Sequence, residues 1–66
     1  MRYDVTDPMD KTLYSFDDYD LMWLCVAEMK QKFGNIDGYI VYDNKMKSYD
    51  YAWRVALNMQ KLWIGD

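Results

Sequence analysis

The sequence predicts an α+β domain, two helices at about 17–33 and 49–63 packed on a small sheet of two or three short strands at about 2–5, 12–16 and 38–43. Three observations carry this. Two long stretches space their apolar residues as a helix does. Short alternating or β-prone runs lie between turn signals. The chain also holds 12 aromatics (seven Tyr, three Trp, two Phe) and six methionines, enough bulk to build a core in a domain that buries only about 60% of its unfolded surface. With 66 residues, one domain spanning 1–66 is expected.

Taken in order, Tyr3 and Val5 alternate with Arg2 and Asp4, and Asp7-Pro8 is a turn signal. Thr12-Leu13-Tyr14-Ser15-Phe16 alternates again. The first helix has cap candidates in Ser15 and Asp17, with Asp17, Asp18 and Asp20 where the macrodipole favours negative charge. Met22, Cys25, Val26, Met29 and Phe33 form its apolar stripe, Lys30 and Lys32 occupy its last turn, and Gly34 is placed to end it. The run from Leu21 to Ala27 makes this helix apolar almost all round, which predicts burial on more than one side or against a partner. Asp37-Gly38 reads as a turn, Tyr39-Ile40-Val41-Tyr42 as a strand, and Asp43-Asn44-Lys45 as a second turn. The second helix has Ser48 as its cap candidate, Asp50 in its first turn and a stripe of Ala52, Val55, Ala56, Met59, Leu62 and Trp63.

A pattern Y-D-x-x-W-x5-M-x3-[FW] occurs twice, 30 residues apart, matching Tyr19-Asp20 to Tyr49-Asp50, Trp23 to Trp53, Met29 to Met59 and Phe33 to Trp63. Two helices solving the same packing problem, with Trp and Met on the core face, explain it more readily than an old duplication does. On either reading the helices pack on each other or on one face of the sheet, with Trp23 and Trp53 largely buried.

The chemistry of catalysis is sparse, and no enzyme is expected. There is no histidine, hence no imidazole base or ligand. Cys25 is the only cysteine, which excludes an intrachain disulfide and, with no histidine, leaves too few ligands for structural zinc. Its apolar neighbours mark it as a small core residue rather than a reactive thiol. Asp17, Asp18 and Asp20 cluster, but a helix N-terminus stabilises the ionised form, the opposite of what a general acid needs. No EF-hand loop is present, and the three glycines never cluster into a phosphate loop. No metal or cofactor site can be named. The longest apolar run, seven residues from Leu21 to Ala27, is far short of the roughly 20 that span a bilayer. A single cysteine, with no apolar signal core in residues 1–7, points to the cytoplasm.

The acids are distinctive. Ten of the eleven are Asp, Glu28 being the exception. Residues 1–20 hold six aspartates against Arg2 and Lys11, a net of −4, while the remaining 46 residues net +1. Caps, turns and a solvated face account for many of them individually. Collectively, Asp4, Asp7, Asp10, Asp17, Asp18 and Asp20, interleaved with Tyr14 and Tyr19, form a candidate binding patch in which tyrosine supplies contact area at low entropy cost. Such a patch suits a basic protein, typically one that itself binds nucleic acid. Direct nucleic-acid binding is disfavoured, because it draws on Lys and Arg and this chain is net −3.

A short chain, rich in Asp and Tyr, poor in catalytic groupings and charged from Asp4 to Asp20, resembles at the level of class the small acidic proteins by which bacteriophages block host enzymes. Anti-CRISPR proteins and other nucleic-acid mimics belong to that class. No motif carries the resemblance, so no functional residue transfers. What it implies is inhibition by occupying a basic nucleic-acid-binding channel, for example in a host defence nuclease complex such as CRISPR-Cas. The alternative expectation is a structural or regulatory subunit that self-associates through apolar surface around Trp23, Trp53 and Trp63. Monomer or weak homodimer is the oligomeric state expected, with no membrane partner.

Overall fold

The computed structural model describes residues 1–57. Its elements are β1 (Tyr3–Thr6), β2 (Thr12–Phe16), α1 (Tyr19–Phe33), β3 (Ile40–Asp43) and β4 (Ser48–Tyr51), followed by a second helical segment, α2, over 52–57. The four strands form one antiparallel sheet in the order β2-β1-β3-β4. This is an α+β architecture, with four strands where the sequence suggested two or three.

Turn chemistry sets the two hairpins. Between β1 and β2, the Asp7 carboxylate accepts from the N–H groups of Met9 (3.0 Å) and Lys11 (2.8 Å). Asp10 then takes φ +69°, a conformation Asp tolerates better than most residues. Between β3 and β4, the Asp43 carboxylate accepts from Lys45 N (3.0 Å) and Met46 N (3.2 Å), and Lys47 takes φ +52°. Asp43 also holds Arg2 in a two-pronged ion pair, Nε–Oδ1 and Nη2–Oδ2 both at 3.2 Å. That pair and the bond from Asn44 N to Arg2 O (2.7 Å) close the β1–β3 seam at its start.

The helix α1 begins and ends for the reasons its sequence suggests, with one change. Asp18 is the N-cap, its side chain accepting from Asp20 N at 2.8 Å; Ser15 lies within β2, and Asp17 instead accepts from Arg2 N. Gly34 terminates the helix at φ +78°, its N–H donating to Lys30 O. One face of α1 is buried, through Met22, Val26 and Met29. They meet Tyr3, Val5 and Val41 of the sheet, Ile36 of the connecting loop, and Ala52, Val55 and Ala56 of α2. Both helices therefore cover the same sheet face. The all-round apolar character of α1 does not translate into all-round burial: Leu21 and Leu24 are exposed, and Phe33, assigned to the stripe, is 57% exposed. Cys25 is half-buried at the margin of the core rather than within it.

The second helix starts later than expected. Ser48-Tyr49-Asp50-Tyr51 is β4, paired with β3 through Tyr42↔Tyr49 and Ile40↔Tyr51, so Ser48 is not a cap and Asp50 is not in a first turn. The expected span 49–63 is helical over 52–57; Met59, Leu62 and Trp63 lie outside the described residues. The internal repeat also dissolves, because Tyr19-Asp20 opens a helix whereas Tyr49-Asp50 sits in a strand. Trp23 is half-buried, its Nε1–H donating to Ala56 O at 3.4 Å. Trp53 is 36% exposed and stacks on Tyr51, so the expectation that both indoles are largely buried does not hold. Among the described residues no helix is long and apolar enough to cross a membrane.

Candidate protein-binding surface

The sheet has one covered face and one open face, and side-chain alternation decides which residues occupy each. Tyr3 and Val5 point into the core, so Asp4 and Thr6 point away from it. Cross-strand partners share a face. The register therefore lays two rows across the open side, Ser15-Asp4-Tyr42-Tyr49 and Thr12-Thr6-Ile40-Tyr51. Each row runs from small polar groups on β2 and β1 to larger side chains on β3 and β4, Tyr42 and Tyr49 in the first and Ile40 and Tyr51 in the second. Tyr49 is 62% and Tyr51 44% exposed. Their rings meet edge-on at 6.3 Å, and Trp53 stacks on Tyr51 at 6.3 Å with 15° between planes. A shallow trough of about 490 Å³ runs over this face, lined by Asp4, Thr6, Asp10, Thr12, Ile40, Tyr42 and Tyr49.

Asp4 is fixed at the centre of the first row. Its carboxylate accepts from Ser15 Oγ at 2.7 Å and from Asn44 Nδ2 at 2.9 Å. Those two bonds, Asn44 first and Ser15 second, hold its pKa below the usual carboxylate value, so the charge is present across the neutral range. Asn44 Nδ2 also lies 3.0 Å from Met1 O and 3.1 Å from Arg2 O, tying the start of β1 to the β3–β4 turn.

The six aspartates and two tyrosines singled out in the sequence do not share one surface. Asp4 and Asp10 line the trough together. Asp7 is committed to the β1–β2 turn. Asp17, Asp18 and Asp20 lie at the opposite end of β2, around the N-terminus of α1, the first two engaged with Arg2 N and with the helix end. Tyr19 stands beside them, edge-on to Tyr3 at 5.6 Å. Its pKa is raised, chiefly by burial, with smaller contributions from Tyr3, Asp50 and Asp20. Tyr14 is on the helix side of the sheet, stacked on Phe16 at 6.5 Å. Tyr42, Tyr49 and Tyr51, the aromatic half of the open face, were not among the predicted residues. The signal for two of them was present: Tyr49 and Tyr51 alternate with Ser48 and Asp50 directly after the four-residue turn at 44–47.

The open face can offer stacking surface, hydroxyls and fixed negative charge. Among the described residues no three His, Cys, Asp or Glu side chains come together as a metal-holding group. No family model, curated protein or solved structure matches this chain.

Proposed function

We propose that this protein is a small acidic binding module that docks its open sheet face on a basic partner protein, one that itself binds nucleic acid, and blocks it. The carrying observation is the uncovered face on which the ionised Asp4 and the trough residue Asp10 stand beside Tyr42 and Tyr49. Tyrosines give contact area, and paired aspartates select a cationic surface and speed encounter. The same pairing of planar groups with negative charge is what a nucleic-acid mimic would show a host defence nuclease complex such as CRISPR-Cas, working in the cytoplasm.

Capture from a host lysate supplies the partner, and a binding titration at two ionic strengths tests the surface. Asp10→Asn keeps the preference for positive φ while removing a charge; it should slow association and flatten the salt dependence. Tyr49→Ala should speed dissociation. The partner's nucleic acid should compete with the wild-type protein. A captured partner that binds both variants like wild type, and holds its nucleic acid at the same time, would overturn the reading.

A further inference from the structure

The sheet has two edges, and they are not alike. At one, β4 carries Asp50 and runs directly into α2. At the other, β2 reads Thr12-Leu13-Tyr14-Ser15-Phe16, with no charge and no proline, and all but Phe16 exposed. Edge strands of monomers are usually blunted by charge, proline or a covering element, because their free N–H and C=O groups template pairing with another chain. The one such device on β2 is a bulge, where the register with β1 slips between Val5 and Thr6; it lies at Thr12-Leu13 and leaves 14–16 regular.

Hydrogen-bond alternation shows which groups are available there. Arg2 and Asn44 are bonded across β1–β3, so Asp4 and Thr6 also turn toward β3 while Tyr3 and Val5 turn toward β2. Their partners Phe16 and Tyr14 turn inward, and the N–H and C=O of Ser15 are aimed outward. Beneath this edge, between β2 and α1, runs an apolar groove of about 370 Å³ lined by Tyr14, Phe16, Cys25, Met29 and Phe33, with the Glu28–Lys32 pair at its rim. Tyr14 is 50% exposed.

We propose that β2 pairs antiparallel with β2 of a second copy of this chain, centred on Ser15, to join two four-stranded sheets into one of eight. Ser15 then faces Ser15 of the second copy and exchanges two N–H···O=C bonds with it. Tyr14 of each copy faces Phe16 of the other, which extends the existing Tyr14–Phe16 stack to four rings and covers both grooves. Charge selects this occupant and this direction. Lys11 precedes β2 and Asp17-Asp18 follow it, so reversal of an identical strand brings Lys11 to the acidic end at both extremities. A parallel copy would set Asp17 beside Asp17. Asp10 does not oppose the arrangement, because it lines the trough on the open face. The two-fold axis stands perpendicular to the sheet, so both open faces remain free.

Sedimentation equilibrium from micromolar to millimolar concentration tests the pairing. Wild type should move from monomer to dimer, and Cys25 labelling should slow as it does, because the groove closes. Ser15→Pro removes the outward N–H without touching the β1 ladder and should leave a folded monomer. Lys11→Asp should weaken the dimer roughly tenfold through its two equivalent charge contacts, and Lys11→Asp combined with Asp17→Lys should recover most of that loss. A wild type that stays monomeric at millimolar concentration would overturn the proposal. So would a dimer indifferent to the charge exchange, which decides the matter even if Ser15→Pro fails to fold.

Discussion

Substituting Gly38 by alanine should destabilise the domain for a reason confined to one contact, and a second substitution should remove that reason. A Cβ on Gly38 would lie 2.6 Å from Cγ and 2.7 Å from Cβ of Pro8. Carbon atoms rest at about 3.5–4.0 Å, so roughly 1 Å of separation must be opened between the β1–β2 turn and the loop before β3. Overpacking of this kind costs about 1–3 kcal/mol, against a total of about 3–10 kcal/mol for a domain of this size. At about 4–8 °C per kcal/mol, the midpoint falls by roughly 5–20 °C. Pro8→Gly removes both clashing atoms and leaves Pro8 Cα at 3.5 Å, an ordinary contact. The effect of Pro8→Gly on the unfolded chain cancels in a double-mutant cycle, so Gly38→Ala should be close to neutral in that background, with a coupling of about 1–3 kcal/mol. Urea denaturation followed by tryptophan fluorescence gives all four stabilities. An equal loss in both backgrounds would refute the argument that Pro8 is what requires glycine there.

Three further outcomes follow from burial and charge. Met22→Ala should cost about 2–5 kcal/mol because Met22 is 1% exposed, whereas Trp53→Ala should cost much less; chemical denaturation that ranks them the other way would contradict the packing described. Asp4 has a folded pKa below its unfolded value, so its contribution is present above about pH 4 and is lost as pH falls through the lower folded pKa. Asp4→Asn should therefore flatten the acid limb of a stability–pH curve, and parallel curves for the two proteins would rule this out. Burial first, and Glu28 second, push the Cys25 thiol up, so at mildly alkaline pH the native protein should react with a thiol reagent measurably but more slowly than the unfolded chain; equal rates would show the site to be open.

What was legible in the sequence was what neighbouring residues decide. Gly34 and the 22-26-29 spacing define α1, and Asp7-Pro8 marks the first turn, because caps, periods and turns are local. β4 was missed because its four residues run without a break into the helical spacing of Ala52, Val55 and Ala56, and Ser48 looks like a cap for a helix starting one turn early. With β4 taken as helix, Tyr49 and Tyr51 lost their common face and the aromatic half of the open surface could not be seen. The strand order was equally hidden, since the central place of β1 depends on pairing Thr6 with Ile40 across the whole of α1. The aspartates divided in the same way. Those at turns and caps, Asp7 and Asp18, are used locally, while the partners of Asp4, which are Ser15 and Asn44, come from β2 and from the distant β3–β4 turn.

The central position of β1 has a kinetic consequence. Each hairpin, β1–β2 and β3–β4, closes through its own short turn and can form in about 1–10 μs. The β1–β3 seam instead closes a loop from Thr6 to Ile40, an entropic cost of about 3 kcal/mol beyond a constant, recovered only once Val5, Val41 and Met22 meet. The barrier should therefore be the docking of two preformed halves with α1 between them. Variants that weaken the hairpin pairing of β2 or β4 should slow folding, because that pairing is already made at the barrier. Val5→Ala and Val41→Ala, whose seam contacts are only partly made there, should both slow folding and speed unfolding. A chevron analysis in which β2 and β4 variants only speed unfolding would show that the seam closes before the hairpins and reverse that order. The strand made first is then the one whose placement completes the fold last.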